Sequence, residues 1–262
     1  MIDSHSHIYS EEFDQDRGQV VARALSAGVS HIILPNENAE SLLRIRSMRE
    51  QWPEVVSMTI GLHPEEVDER YRDLMAELRE QLHNGPFVAI GEVGIDLYWE
   101  QKHREQQVET LDTMLHWCKE LDVPFIIHCR NGLDECLWVL DNFGEPLPQG
   151  VFHSFTGSVS DLAAVRQRGD FYFGVNGIVT FKKSNVPELL PEIGLNRLLL
   201  ETDSPYLTPI PKRGTRNESA NIPLIAACIA AHLNVTIDEV ARQTDKNAKE
   251  LFKLRHHEVS CP

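Results

Sequence analysis

The sequence predicts an α/β fold of one kind, a (β/α)8 TIM barrel, and three observations carry the prediction. Short β-rich apolar runs alternate with longer stretches of helical period, eight times over in 262 residues. Some runs are apolar throughout, such as Phe125-Ile126-Ile127, as strands of a parallel sheet covered on both faces must be. No Gly-x-Gly-x-x-Gly follows the first run, which removes the fingerprint of the open, doubly wound alternative.

The strand runs are 1–5, 29–35, 55–62, 87–92, 125–129, 150–154, 171–175 and 197–202. The first helical pattern, 13–27, puts Phe13, Val20, Val21, Ala24 and Leu25 on one face. The others are 39–51, 71–82, 104–121, 133–142, 160–167 and 186–193. Ser158 or Ser160 suits the cap of the sixth helix, and Pro187 suits a first helical turn. Gly28 and Gly169 stand where helices should stop. Each strand reaches the next through a helix, the crossover connection of a parallel sheet. Eight such units in about 250 residues is the arithmetic of the barrel. Two further C-terminal helices, 220–233 and 237–254, are expected to cover its outside, so that residues 1–262 form a single domain.

Composition narrows the class of protein. Hydrophobic residues at 42% and charged residues at 25% are ordinary globular values, which excludes disordered and fibrous classes. No stretch approaches the roughly 18 apolar residues of a membrane span. The start, Met1-Ile2-Asp3-Ser4-His5, lacks the basic-then-apolar pattern of a secretory signal. Five cysteines without a CxxC pair read as reduced thiols, so a cytoplasmic protein is expected, with no membrane and no obligate protein partner. A net charge of −15 argues against a protein that coats nucleic acid over a wide basic face. A local pocket for a few phosphates stays open.

The chemistry lies at the strand ends. His5 and His7 close the first run, Glu92 the fourth, His128 the fifth, His153 the sixth and Asp203 the eighth. In a barrel, all those C-terminal ends meet at one rim, where active sites are built. Strand side chains alternate, so His5 and His7 share a face while Ser6 turns away. Imidazoles and carboxylates together suit a borderline divalent cation such as zinc, manganese, nickel or iron. Four histidines and two acids exceed the needs of one ion. Two ions sharing a bridging carboxylate, Glu92, would use them all.

These blocks resemble the TatD family of metal-dependent hydrolases, within the amidohydrolase-like barrels. The resemblance runs from Ile2-Asp3-Ser4-His5-Ser6-His7 to 213–221, through Gly61-Leu62-His63-Pro64 and the segments 91–96, 127–130, 153–157 and 200–207. It implies a (β/α)8 barrel with a two-metal centre. His5, His7, Glu92 and Asp203 would hold the first ion, and Glu92, His128 and His153 the second. It also implies a deoxyribonuclease, often an exonuclease working from the 3′ end and supported by magnesium. An imidazole-rich shell favours a softer resident ion, with magnesium as an assay metal. Many related barrels bridge their metals with a modified lysine where this chain has Glu92, and no lysine occurs between Tyr71 and Gln101. Family members commonly have proline where Ser219 stands, a departure that touches the start of a helix and not the chemistry.

Around the ligands, Asp3 and Glu201 are expected to orient imidazoles as outer carboxylates. His63 reads as a substrate contact. A cationic rim is expected from Arg130, Lys182, Lys212, Arg213 and Arg216, with Lys183 merely solvated. Asn217 and Tyr206 are candidates for sugar or base contacts, and Tyr98 and Trp99 either offer a stacking face or pack the barrel mouth. The expected enzyme is a phosphodiesterase acting on DNA ends or short oligonucleotides. A metal-activated water attacks phosphorus, with Asp203 as general base. The alternative keeps the site and changes the substrate: an acyl or amide hydrolase such as an aminoacyl-tRNA deacylase. An inert barrel serving as a scaffold is disfavoured because all six ligand positions are filled.

Overall fold

The computed structural model describes residues 1–99, 101–144 and 146–254. Eight parallel strands stand in sequence order: β1 (Ile2–Asp3), β2 (His31–Leu34), β3 (Val56–Ile60), β4 (Phe87–Asp96), β5 (Phe125–Arg130), β6 (Gly150–Phe152), β7 (Tyr172–Val175) and β8 (Leu198–Leu200). The ring closes between β8 and β1, where Ser4 N donates to Leu200 O at 2.9 Å and Ser6 bridges in parallel to Ser204. Helices connect the strands: α1 (Arg17–Ser26), α2 (Ala39–Gln51), α3 (Tyr71–Gln81), α4 (Arg104–Leu121), α5 (Leu133–Asn142), α6 (Val159–Arg166) and α7 (Val186–Ile193). Two more follow β8: α8 (Ile222–Leu233) and α9 (Ile237–Leu251).

Strand alternation divides the core. Ile32 and Leu34 pack with the helices, while Ile33 between them joins a second cluster. That second cluster takes Ile2, Ile33, Ala89, Ile126, Val151, Tyr172 and Leu199 from seven strands and adds Ala248, Leu251 and Phe252 of α9 and the residue after it. It is the floor of the barrel interior, closed from below by the last helix. A functional site therefore has one place to open, the rim at the strands' C-terminal ends.

Three strand ends differ from the sequence expectation. β4 continues to Asp96, and its register with β5 shifts between Ile90 and Val93. The Gly-rich stretch looked like a strand terminus. Instead, Gly94 lets two backbones meet, since a Cβ there would lie 1.9 Å from His128 O. β1 and β8 are short, so His5, His7 and Asp203 lie just beyond them, with Asp203 at φ 56°. The expected 13–27 helix splits into a 3-10 turn, Glu11–Phe13, and α1. Ser158 caps α6 in a reciprocal box with Asp161, and Pro187 sits in the first turn of α7. Among the described residues, no single helix is long and apolar enough to cross a membrane.

Candidate metal centre

Beyond β1 the chain stays extended because both neighbours hold it. Ser6 N donates to Ile33 O on the β2 side, and His7 N to Ser204 O on the other. Alternation therefore persists past the strand. Ser6 turns outward to Ser204 Oγ at 2.7 Å, while His5 and His7 turn inward with their Nε2 atoms 3.1 Å apart. Asp203 N donates to His5 O, bringing the carboxylate onto the same face with Oδ1 3.4 Å from His7 Nε2.

Glu92 stands at the middle, only 1% exposed. Its two oxygens face different partners. Oε1 lies 2.8 Å from His128 Nδ1, 2.9 Å from His153 Nε2 and 3.4 Å from His63 Nε2. Oε2 lies 3.1 Å from His5 Nε2 and 3.7 Å from His7 Nε2, and makes no hydrogen bond. Three sets of side chains are close enough to share a cation: His5 with Glu92 and His153, His5 with His7 and Asp203, and His63 with Glu92 and His128. A buried carboxylate oxygen without a hydrogen bond, ringed by imidazole nitrogens, fits a divalent ion of borderline softness. The six expected ligands thus converge. His63, expected as a substrate contact, lies 3.4 Å from Glu92 Oε1 and shares the third of these sets.

The metal-free charges interlock. Burial would protonate Glu92, but His153, His5, His63 and His128 outweigh it and hold the carboxyl well below its ordinary range. Asp203 is lowered in the same way, against burial, by His7, His153 and His5. Burial disfavours the charged form of His7, yet Asp203, Glu37 and Glu92 raise it to about 9. His128 likewise rises to about 9 against burial, through Asp96 and Glu92. Burial also disfavours the charged form of His153, yet Glu92 and Glu201 push it well up, whereas burial and the neighbouring His153 lower His5.

Supporting contacts include residues the sequence reading passed over. The Tyr9 hydroxyl donates to Glu37 Oε2 at 2.7 Å and lies 2.8 Å from His7 Nδ1. With the hydroxyl hydrogen engaged, His7 Nδ1 is the donor to Tyr9, which leaves Nε2 for the centre. Asp96 Oδ2 does the same for His128, at 2.9 Å from Nε2, leaving Nδ1 to face Glu92. Tyr9 was findable, since it continues the alternation of His5 and His7, and Asp96 closes the 91–96 block; Glu37 left no signal. Asp3 needs a correction: Oδ1 accepts from Thr202 N and His5 N and Oδ2 from Thr202 Oγ1, so it ties β1 to the β8 loop rather than orienting an imidazole. Burial raises its carboxyl to about 7, against those bonds. Glu201 lies 3.6 Å from His153 Nδ1 and accepts from Ser154 N at 2.6 Å, so it braces the loop as well as facing the ring.

The rim sorts into free and engaged groups. Lys182 and Arg213 are exposed, Arg213 lying over the Phe181 ring at 4.3 Å. Arg130 is exposed over Tyr98. Arg216 is not available for phosphate: it holds Asp16 at 2.7 Å and Glu12 O, stacked on Phe13. Asn217 is fully buried, bonding Thr202 O and Tyr206 O, so it is a brace of the β8 loop and not a sugar contact. Lys212 donates to Asn221 Oδ1 at 2.8 Å. Both misplacements have one cause: the loop after β8 folds back on α1 and α8, which sequence position does not reveal.

Known proteins share this sequence and fold. The family described as TatD related DNase matches residues 2–253. The chain is 33% identical over 255 residues to the uncharacterized metal-dependent hydrolase YabD of Bacillus subtilis, covering 97% of this chain and 99% of that protein. It is 35% identical over 260 residues to the 3′-5′ ssDNA/RNA exonuclease TatD of Erwinia billingiae, covering 97% and 99%. The crystal structure of YJJV, a TatD homologue from Escherichia coli K12, superimposes with a TM-score of 0.88 at 29% identity over 97% of this chain and 98% of that one. With the family match spanning the barrel and relatives aligned end to end, the chain belongs to the TatD family of metal-dependent hydrolases, enzymes that act on ester bonds.

Proposed function

We propose that this barrel hydrolyses phosphodiesters at single-stranded or frayed DNA ends, as a 3′-5′ exonuclease using two divalent ions. The observation that carries the reading is the division of Glu92 between two imidazole sets, one on each carboxylate oxygen. His5, His7, Glu92 and Asp203 would hold one ion; Glu92, His128 and His153 the other, with His63 at its edge. When bound, such ions supply an acidified nucleophilic water and offset the charge that develops on the phosphoryl oxygens. Zinc, manganese, nickel or iron suits the nitrogen-rich shell, with magnesium as a working substitute in assay.

The chain's own groups do the rest. Asp203 is held ionised by the surrounding histidines, so its carboxylate can take the proton of the attacking water. Lys182, Arg213 and Arg130 lie exposed on the rim, and they hold the substrate phosphate as point charge and planar forks. The cationic patch is small on a chain of charge −15, which favours a strand end over a long duplex. Relatives named as ssDNA/RNA exonucleases support this substrate class. The free thiols of Cys118, Cys129, Cys136 and Cys228 accord with the cytoplasm.

The test is a panel: 3′- and 5′-labelled single-stranded DNA, the same sequences as RNA and blunt duplex, and aminoacyl-tRNA, each with the metals above. Stepwise shortening of 3′ ends is the expected result. Ester hydrolysis of aminoacyl-tRNA with no loss of nucleotides would replace the reading with the acyl-hydrolase one.

A further inference from the structure

Two aromatic side chains at the rim stand largely in solvent. Trp99 is 67% exposed and Tyr98 52%, immediately after the strand that carries Glu92. Indole and phenol rings gain free energy by leaving water, so a pair kept outside is an unfilled contact surface. The rings meet edge to face, with centroids 4.8 Å apart at 87°. Arg130, at the end of β5, places its guanidinium 3.8 Å from the Tyr98 centroid and 5.3 Å from that of Trp99. Among the described residues, this arginine lies against rings and forms no ion pair, though its charge reaches the buried Asp96. Arg23, Arg168 and Arg197 are each clamped to an acid instead.

The cluster is pinned to the metal centre through one buried carboxylate. Asp96 Oδ1 accepts from Tyr98 N at 2.9 Å, while Oδ2 lies 2.9 Å from His128 Nε2. His128 in turn faces Glu92 at 2.8 Å. The stacking surface and the ligand ring thus share a rigid connection, and a group lodged at one is registered against the other.

We propose that Trp99, framed by Tyr98 and Arg130, is a stacking subsite for one unpaired nucleobase next to the phosphodiester being cut. The proposal rests on the phosphodiesterase reading above and names what that site selects. The indole offers its face to the base, Tyr98 supports its edge, and Arg130 adds a cation that reaches both ring and phosphate. Every base has a flat face, so the subsite tolerates any sequence. It rejects a base still stacked in a duplex, because only an unpaired one can turn onto Trp99. The specificity is for the state of the end and not for its letters.

The experiment compares two single-stranded oligonucleotides that differ only at the terminal residues, one with bases and one with abasic tetrahydrofuran. The metal-loaded full chain, Trp99→Ala and Trp99→Phe are assayed for KM and kcat on each. The wild type should prefer the base-bearing end by about tenfold or more in KM, the range of one base–aromatic stack. Trp99→Ala should lose that preference and Trp99→Phe should keep most of it. Equal preference in wild type and Trp99→Ala overturns the subsite while leaving the hydrolase reading intact. A wild type that cuts neither oligonucleotide defeats the phosphodiesterase reading instead, and a binding measurement then decides the subsite. Tryptophan fluorescence of the metal-free chain, titrated with the base-bearing oligonucleotide, should be quenched in wild type and much less in Trp99→Phe, where Trp52, Trp117 and Trp138 remain. Equal quenching in both overturns it.

Discussion

Filling the centre should expel about three protons per chain near neutral pH, one each from His7, His128 and His153. An imidazole must be neutral to bind a metal. An ordinary ring, with a pKa near 6.5, carries only about 0.1 proton at pH 7.5, so four would release about 0.4. Here His7 and His128 are raised to about 9, and His153 well above its ordinary value. Each is therefore almost fully protonated at pH 7.5 without metal, while His5, lowered, contributes little. Glu92 and Asp203 are already ionised and add none. Calorimetric titration with zinc or manganese in two buffers of different ionisation enthalpy counts the protons directly. Apparent affinity should also climb steeply with pH up to about 9, each released proton contributing about tenfold per unit. The sign for the metal-free fold is opposite. Raised histidines stabilise it fully below about pH 6.5, and that contribution is lost as pH rises through about 9. Release of fewer than one proton per chain would refute the interlocked charges described above.

Four further outcomes are expected. Tyr9→Phe removes the 2.8 Å contact to His7 and should weaken one ion by about 10–100-fold and the other little, read by competition with a chromogenic chelator; equal affinities at both sites would remove Tyr9 from the centre. Losing Lys182 and Arg213 together should flatten the salt dependence of oligonucleotide binding by about 1.4 in log–log slope, two contacts at about 0.7 each on a single strand. Arg216→Ala should leave that slope alone and lower the thermal midpoint slightly, since its partners are Asp16 and Phe13; the reverse pattern would return Arg216 to the substrate. Gly174→Ala should destabilise the fold by about 1–3 kcal/mol, because its Cβ would stand 2.1 Å from Glu201 Oε2; denaturant unfolding at wild-type stability would show that Glu201 moves freely.

The barrel and the convergence of the six side chains at its rim were legible because both obey short-range rules. Alternation at His5 and His7, and the habit of barrels to gather strand ends, needed no coordinates. What was hidden depends on how loops fold back. Arg216 and Asn217 looked like rim groups, yet one grips Asp16 and the other is buried under Tyr206. Asp3 shares the inward side with His5, but Thr202 reaches it first. Glu37 sits at a strand-to-helix loop with no pattern to mark it, and only the Tyr9 hydroxyl discloses its connection. The extension of β4 to Asp96 was masked by two glycines that read as punctuation.

The two-metal centre requires Glu92 to serve both ions at once, and bound metal counted after dialysis decides it. Wild type should retain two ions per chain. Glu92→Ala should lose both, because one oxygen faces His128 and His153 while the other faces His5 and His7. His153→Ala should keep one. Two ions held by Glu92→Ala at wild-type affinity would contradict the bridge, and a single ion in the wild type would contradict the two-metal centre.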